Sequence, residues 1–427
     1  MRARPTRRRV ALALAAVLAA SLVITGCAPD EHVEIDVPPQ ADAAFPEATA
    51  QQLQDAVTHA MTAAGASGAI VGVWAPWSGT LVTGVGVESP ASTAPVTDDM
   101  EFRIAQVTRA MTCDVLYAVA QEGTVRINDS VAKWVPGVPD LADVTLGQLC
   151  ESTSGIGSYG AQLGGMFLKN PTRVWNPREL ASYGLGHERT TAPGTAYQDS
   201  DAGYVMLGVA LERATGRSAA DLFDDYVFDP LDLVATRLPS DAPSAPSTTA
   251  PVLKGHHSQP DAAGVMNCTE PLDVTTLSAS IGFTDSGVVS NIRDLGRYAQ
   301  ALAAGTLVPE GADRFDEPIA LGGAPSWYVA GGGAIRPGSL VGQFGSIPGY
   351  ATAAFSDAGT GLTVAVVLNN SGGGRYFAER LALELAAIAS KAPATDGAAT
   401  PDAGLPWTAQ QYHDQIAATA ICAAPPA

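Results

Sequence analysis

Gln106 and Arg109 stand three residues apart in the segment Phe102–Arg109, at the start of a predicted helix over 107–122. That spacing puts both side chains on one helical face, one turn apart. A nucleophile and the base that takes its proton are set side by side at such a spacing. These two residues cannot do that work. A carboxamide does not attack a carbonyl as an alkoxide does, and a guanidinium keeps its proton. Further along, Asp199 and Asp201 flank Ser200 just before a helix expected over 202–215, which ends at Gly216. Two readings of these acids stay open. In one, Arg109 makes a bidentate structural ion pair with Asp201 or Asp199; in the other, one aspartate simply caps the helix. Ser130-Val131-Ala132-Lys133 is a literal Ser-x-x-Lys string, but it falls in a loop bounded by Pro and Gly and reads as coincidence. Ser200 has no neighbouring base and reads as a loop serine.

The elements that must position these residues follow from pattern. Leu53, Val57 and Met61 recur four apart, an amphipathic helix stopped by Gly65. Gly68–Ala75 reads as a buried strand, Pro76–Gly79 as a turn and Thr80–Val87 as the returning strand. Helical patches between Gly/Pro loops fill the chain to about 275, and residues 240–262 are a Ser/Pro/Thr-rich surface loop. Strand patterns return at Ala351–Phe355 and Leu362–Leu368, and a helix closes the domain at Arg375–Ser390. Strands first, helices inserted and strands last imply an α/β fold: an antiparallel sheet flanked by helices, with an all-α subdomain in the middle.

Five arginines among residues 1–9 precede an apolar run, Val10–Ile24, too short to span a bilayer. Leu22–Cys27 looks like a bacterial lipobox, so residues 1–26 are expected to be a signal peptide and Cys27 the lipidated N-terminus. Thr6–Val10 faintly resembles a twin-arginine signal. Residues 27–48 are expected to be a flexible tether, 49–390 the folded domain, and 391–427 a linker and tail. The formal charge of −19 becomes −24 once the five leader arginines are gone. Such acidity excludes nucleic acid as a partner. Cys113, Cys150, Cys268 and Cys422 form an even set in an exported chain. Three pairings are open; Cys113–Cys150 and Cys268–Cys422 are favoured, joining two core elements and pinning the tail. No Cys or His pair has metal-ligand spacing, His256-His257 included, so neither metal nor cofactor is expected.

Ordered landmarks across residues 50–390 carry a family resemblance. They are the opening hairpin, Phe102–Arg109, Asn128–Gly137, Thr145–Leu149, Ser152–Gly155, Pro193-Gly194-Thr195, Tyr204–Gly208, and Gly345 with Pro348, Gly349 and Tyr350. The chain resembles the serine β-lactamase and D-alanyl-D-alanine carboxypeptidase superfamily, in its class C-like branch. By that resemblance Gln106 and Arg109 occupy the serine and lysine positions. The Tyr-x-Asn motif falls on Asp199-Ser200-Asp201, and Lys/His-Thr-Gly on Gln343-Phe344-Gly345. Tyr197 lies two residues early and is expected outside the cleft unless the loop rearranges. The resemblance also implies an oxyanion hole from the backbone N–H groups of Gln106 and Ser346, a role that tolerates any side chain. Two functions are weighed. One is a catalytically inactive, lipid-anchored protein that binds a cell-wall peptide or an envelope partner. The other is a β-lactamase, D,D-carboxypeptidase or esterase with a relocated nucleophile.

Overall fold

The four-residue apolar period of the N-terminal region forms α1 (Glu47–Ala64), which Gly65 closes at φ 66°, a left-handed conformation that glycine adopts without cost. The computed structural model describes residues 32–138, 141–239, 246–247, 249–395 and 399–422. The leader, Cys27 and part of the 240–262 loop lie outside the described residues. No described helix is long and apolar enough to cross a membrane.

After α1 come the hairpin β1 (Gly68–Ala75) and β2 (Gly79–Gly86), then the short β3 (Phe102–Arg103). The helical insertion follows as α2 (Thr108–Gln121), α3 (Val131–Trp134), α4 (Leu146–Cys150), α5 (Gly160–Lys169), α6 (Pro177–Leu185), α7 (Asp201–Thr215) and α8 (Ala219–Phe223). Short strands β4 (His256–His257), β5 (Leu272–Asp273) and β6 (Val289–Ser290) surround α9 (Phe283–Ser286), and α10 (Ile292–Ala304) leads back to the sheet. Its remaining strands are β7 (Ile319–Ala320), β8 (Tyr328–Gly331), β9 (Ala334–Pro337), β10 (Val341–Ile347), β11 (Tyr350–Ser356) and β12 (Thr363–Leu368). Two helices, α11 (Tyr376–Ala389) and α12 (Ala409–Ala418), close the chain.

The sheet runs β2-β1-β12-β11-β10-β9-β8-β7, with its neighbours antiparallel. β1 pairs with β12 in the register Ala69↔Leu368, so the first and last long strands meet inside the sheet and the helical insertion is carried between them. Every residue of β12 is buried, because the sheet is covered on both faces. Val364, Val366 and Leu368 face the α1/α11 layer, while Ala365 and Val367 join the core shared with α10 and the insertion. That alternation is the two-residue period of a pleated strand. The expected α/β fold with an inserted helical subdomain is the observed one.

Two segments near the ends of the described residues pack on the body. Residues 33–46, expected in a free tether, dock on the body. The N–H of Thr80 donates to the Ala43 carbonyl at 2.7 Å, Val33 donates to Pro230 at 2.9 Å, and Phe45 is buried. Burial of that single aromatic and the strand-like pairing beside β2 anchor a segment whose composition alone reads as spacer. The tail is likewise part of the domain. Trp407, Tyr412 and Ile416 are buried against α11, and the Trp407 indole N–H donates to the Leu383 carbonyl at 3.0 Å. Disulfides join Cys113 to Cys150 and Cys268 to Cys422. The second fixes the segment after α12 beside Gly65 at the end of α1.

Candidate functional site

Gln106 lies in a 3-10 turn, Ala105–Val107, that feeds α2. Ala105 has φ 51°, unusual for a residue with a side chain, and the turn is braced by the Thr108 hydroxyl, which donates to the Ala105 carbonyl at 2.8 Å. β10 packs against this turn. Gly345 approaches so closely that an added Cβ would sit 2.6 Å from the Gln106 backbone nitrogen. Only glycine fits there, which accounts for its survival when both residues before it have changed.

The Gln106 carboxamide is held at both ends. Its Oε1 accepts the Ser346 backbone N–H at 2.7 Å, and its Nε2 donates to Asp285 Oδ2 at 3.3 Å. The Ser346 N–H is one of the two groups expected to form an oxyanion hole. It is already used by the chain's own side chain, so the expectation of an open hole is corrected. The glutamine oxygen takes the donor that a substrate oxygen would need.

Arg109, 3% exposed, lies one turn on. Its Nε donates to Asp285 Oδ1 at 2.7 Å, its Nη1 bonds Asp199 Oδ1, and its guanidinium stacks over Tyr204 at 4.8 Å from the ring centroid. Asp199 in turn reaches Arg375 Nη1 at 2.9 Å through its other oxygen. Burial opposes ionisation of Asp199, but Arg109 and Arg375 outweigh it and hold the carboxyl well below the usual carboxylate range. Burial likewise opposes the charge on Arg109, and its two carboxylates more than offset that, raising its pKa further. This is a closed network of two arginines and two aspartates, and no member is a base available to a nucleophile.

Of the two aspartates weighed as partners of Arg109, Asp199 makes the pair and Asp201 does not. Asp201 accepts the backbone N–H groups of Tyr159 at 2.6 Å and Gly160 at 2.9 Å, joining the start of α5 to α7. Burial first, then repulsion from Asp285, raises its pKa. Ser200, not an aspartate, caps α7, accepting the Gly203 N–H at 2.9 Å. Ser130 caps α3 and Lys133 pairs with Asp129 at 2.8 Å, so that serine–lysine string is local structure. Gln343 is spent on backbone: it donates to the Gly333 carbonyl at 2.8 Å and accepts the Phe344 N–H at 2.9 Å. Phe344 is buried, with Tyr376 and the Arg375 guanidinium against its ring.

In front of this network opens a cleft of about 520 Å³. Arg109, Trp327, Phe344 and Tyr376 line it, together with Gln411, Tyr412 and Gln415 of α12. Tyr197, expected outside, lines the cleft as well, with its pKa pushed up to about 12 by burial and the neighbouring Asp199. Glu379 lies at the same cleft, accepts a hydrogen bond from the Tyr328 hydroxyl, and has its pKa pushed up to about 7 by burial. Asp285 and Arg375 are the functional residues that sequence reasoning missed. Asp285 sits in the short α9, without periodicity or motif, and Arg375 follows a glycine run, so neither carries a local signal. Among the described residues one cluster, His59, Glu384 and His413, brings ligand-type atoms together away from this cleft.

A sequence profile of the Beta-lactamase family matches residues 53–389. A penicillin-binding protein of Bacillus subtilis is 25% identical over 60% of this chain and 58% of its own length. The D-alanyl-D-alanine-carboxypeptidase/endopeptidase AmpH of Escherichia coli is 31% identical over 32% of this chain and 37% of its own. The chain thus spans between about a third and somewhat over half of these relatives. Among solved structures, a D-stereospecific amidohydrolase from a Streptomyces species superposes with a TM-score of 0.64 at 25% identity. That match covers 76% of this chain and 94% of the amidohydrolase.

Proposed function

This chain belongs to the Beta-lactamase family, and we propose that it is a member that binds without catalysing: a lipid-anchored, extracytoplasmic protein whose cleft takes a cell-wall peptide. The observation that carries this reading is the Gln106 carboxamide, seated on the Ser346 N–H and tied to Asp285. Acyl transfer needs a nucleophile, a base and free donors for the developing oxyanion. At Gln106 there is no nucleophile. At Arg109 there is a permanent cation already paired twice, and the Ser346 donor is taken.

The cleft in front remains suited to a ligand. Trp327, Phe344 and Tyr376 offer aromatic surface, and the Arg375 side chain, 31% exposed, offers a cation to a peptide carboxylate. The ligand class is supported by the relatives, whose names specify penicillin binding and D-alanyl-D-alanine cleavage. The location outside the cytoplasm is supported by the basic, then apolar leader ending at Cys27 and by two disulfides.

The test is a titration of the protein with a synthetic stem peptide ending in D-alanyl-D-alanine, followed through tryptophan fluorescence, with the peptide recovered and weighed afterwards. Saturable binding with intact peptide, weakened by Arg375→Ala, is the expected result. Release of D-alanine would overturn the non-catalytic reading. Absence of saturation would overturn the ligand assignment.

A further inference from the structure

Three residues that the cleft does not use meet where α1, α11 and α12 pack together. His59 comes from α1, Glu384 from α11 and His413 from α12. One ligand atom from each, two imidazole nitrogens and a carboxylate oxygen, lie within 4.8 Å of one another. The two imidazole rings stack at 3.7 Å between centroids, and His413 Nδ1 meets Glu384 Oε1 at 2.9 Å. Two polar atoms in this cluster have no partner: the buried Nδ1 of His59 and the buried Oε2 of Glu384, a residue only 3% exposed. A buried carboxylate oxygen and imidazole nitrogen left unpaired cost free energy that a ligand could recover. A cavity of about 700 Å³ opens onto Glu384 and His413, with Asp55 on its wall.

We propose that His59, Glu384 and His413 form a binding site for a zinc-class divalent cation. Two imidazoles and one carboxylate are a donor set that zinc accepts, whereas magnesium and calcium prefer oxygen alone. Zinc bonds of about 2.0–2.2 Å require the three donor atoms to draw together from their present separation, and rotation of two partly exposed histidine side chains supplies that movement. A water from the cavity takes the fourth position. The ion would join three helices, one of which, α12, also walls the cleft through Gln411, Tyr412 and Gln415. The site therefore fastens the wall of the cleft from behind.

The experiment is a zinc titration of the untagged full chain, freed of metal by chelation, in competition with a chromophoric chelator. One equivalent bound, with a rise in Tm on adding zinc, is expected. His59→Gln and His413→Gln should each weaken binding by at least about tenfold, and the double variant should lose both the bound equivalent and the Tm rise. His187→Gln, at an exposed histidine bonded to Gln162, should leave binding unchanged. Circular dichroism in chelator checks that the variants fold. X-ray absorption at the zinc edge of the unmodified protein, which needs no variant, should show imidazole scattering. No bound equivalent, binding that survives the double substitution, or an oxygen-only shell would each overturn the assignment.

Discussion

The two pockets served by α11 and α12 differ in one physical respect: whether their polar atoms are satisfied. In the cleft, Arg109 answers Asp199 and Asp285, Asp199 answers Arg375, and both ends of the Gln106 amide are bonded. On the other side, His59 Nδ1 and Glu384 Oε2 are buried without partners. A buried network whose members are all paired is a finished structural element, and it resists rearrangement because opening any link exposes the rest. An unpaired buried acid beside two imidazoles is an unfinished one. The difference is that the residues at the motif positions of the cleft are bonded to one another, whereas the His59–Glu384 cluster is not closed in this way. A chemically open position lies outside the cleft, at His59 and Glu384.

The largest expected effect comes from breaking the finished side. Arg109→Ala leaves Asp285, 1% exposed, and Asp199 without their shared cation. It should destabilise the fold by about 3–5 kcal/mol in urea unfolding, the cost of stranding a buried charge. An unchanged midpoint would mean that the network is ornamental.

Next is the tie that holds α12 between the two pockets. Replacing Cys268 and Cys422 by serine removes a link across 154 residues and should lower stability by about 2–4 kcal/mol. Tyr412 should become more accessible to quenchers at the same time.

The pH dependence sharpens the cleft side. Glu379 has its pKa raised to about 7 from 4.5, so the folded state binds the proton more tightly than the unfolded chain. Its contribution to stability is therefore complete below pH 4.5 and is lost as pH rises through 7. Glu379 should contribute a fall of about 2 kcal/mol to wild-type stability between pH 5 and 8, beside that from Asp201, whose pKa is raised in the same sense. Glu379→Gln, which retains an acceptor for Tyr328, should flatten that slope. A parallel slope in the variant would locate the titration elsewhere.

The smallest effect is expected at Gln106 itself. Gln106→Ala removes two hydrogen bonds and frees the Ser346 N–H at a cost of about 1 kcal/mol. The double variant Gln106→Ser/Arg109→Lys should remain unacylated by β-lactams, since Asp199, Asp201, Gln343 and Phe344 still lack the other two motifs.

Much of this was legible in the residues. Helices α1, α2, α7 and α11, the hairpin and the central strands follow from spacing and from Gly65 and Gly216 as stops. That Gln106 and Arg109 cannot serve as nucleophile and base follows from their side-chain chemistry without any structure. What stayed hidden has a common cause: it depends on atoms brought together from distant parts of the chain. Asp285 meets Arg109 across 176 positions and Arg375 meets Asp199 across 176. His59 and His413 come from opposite ends of the chain, so a search for local ligand spacing passes them by. Asp201 is nearer in sequence to the expected pairing than Asp285, yet its carboxylate is consumed by the N–H groups at the start of α5. Residues 33–46 and the tail carry the reverse kind of signal. Their composition is that of a linker, while a few aromatics, Phe45, Trp407 and Tyr412, supply the burial that docks them.

The most direct test of a cleft converted to scaffold is the intact mass of the unmodified protein after incubation with a β-lactam and, separately, with a fluorophosphonate. The account predicts an unchanged mass in both. A stoichiometric adduct, mapped to any serine of the cleft, would contradict it.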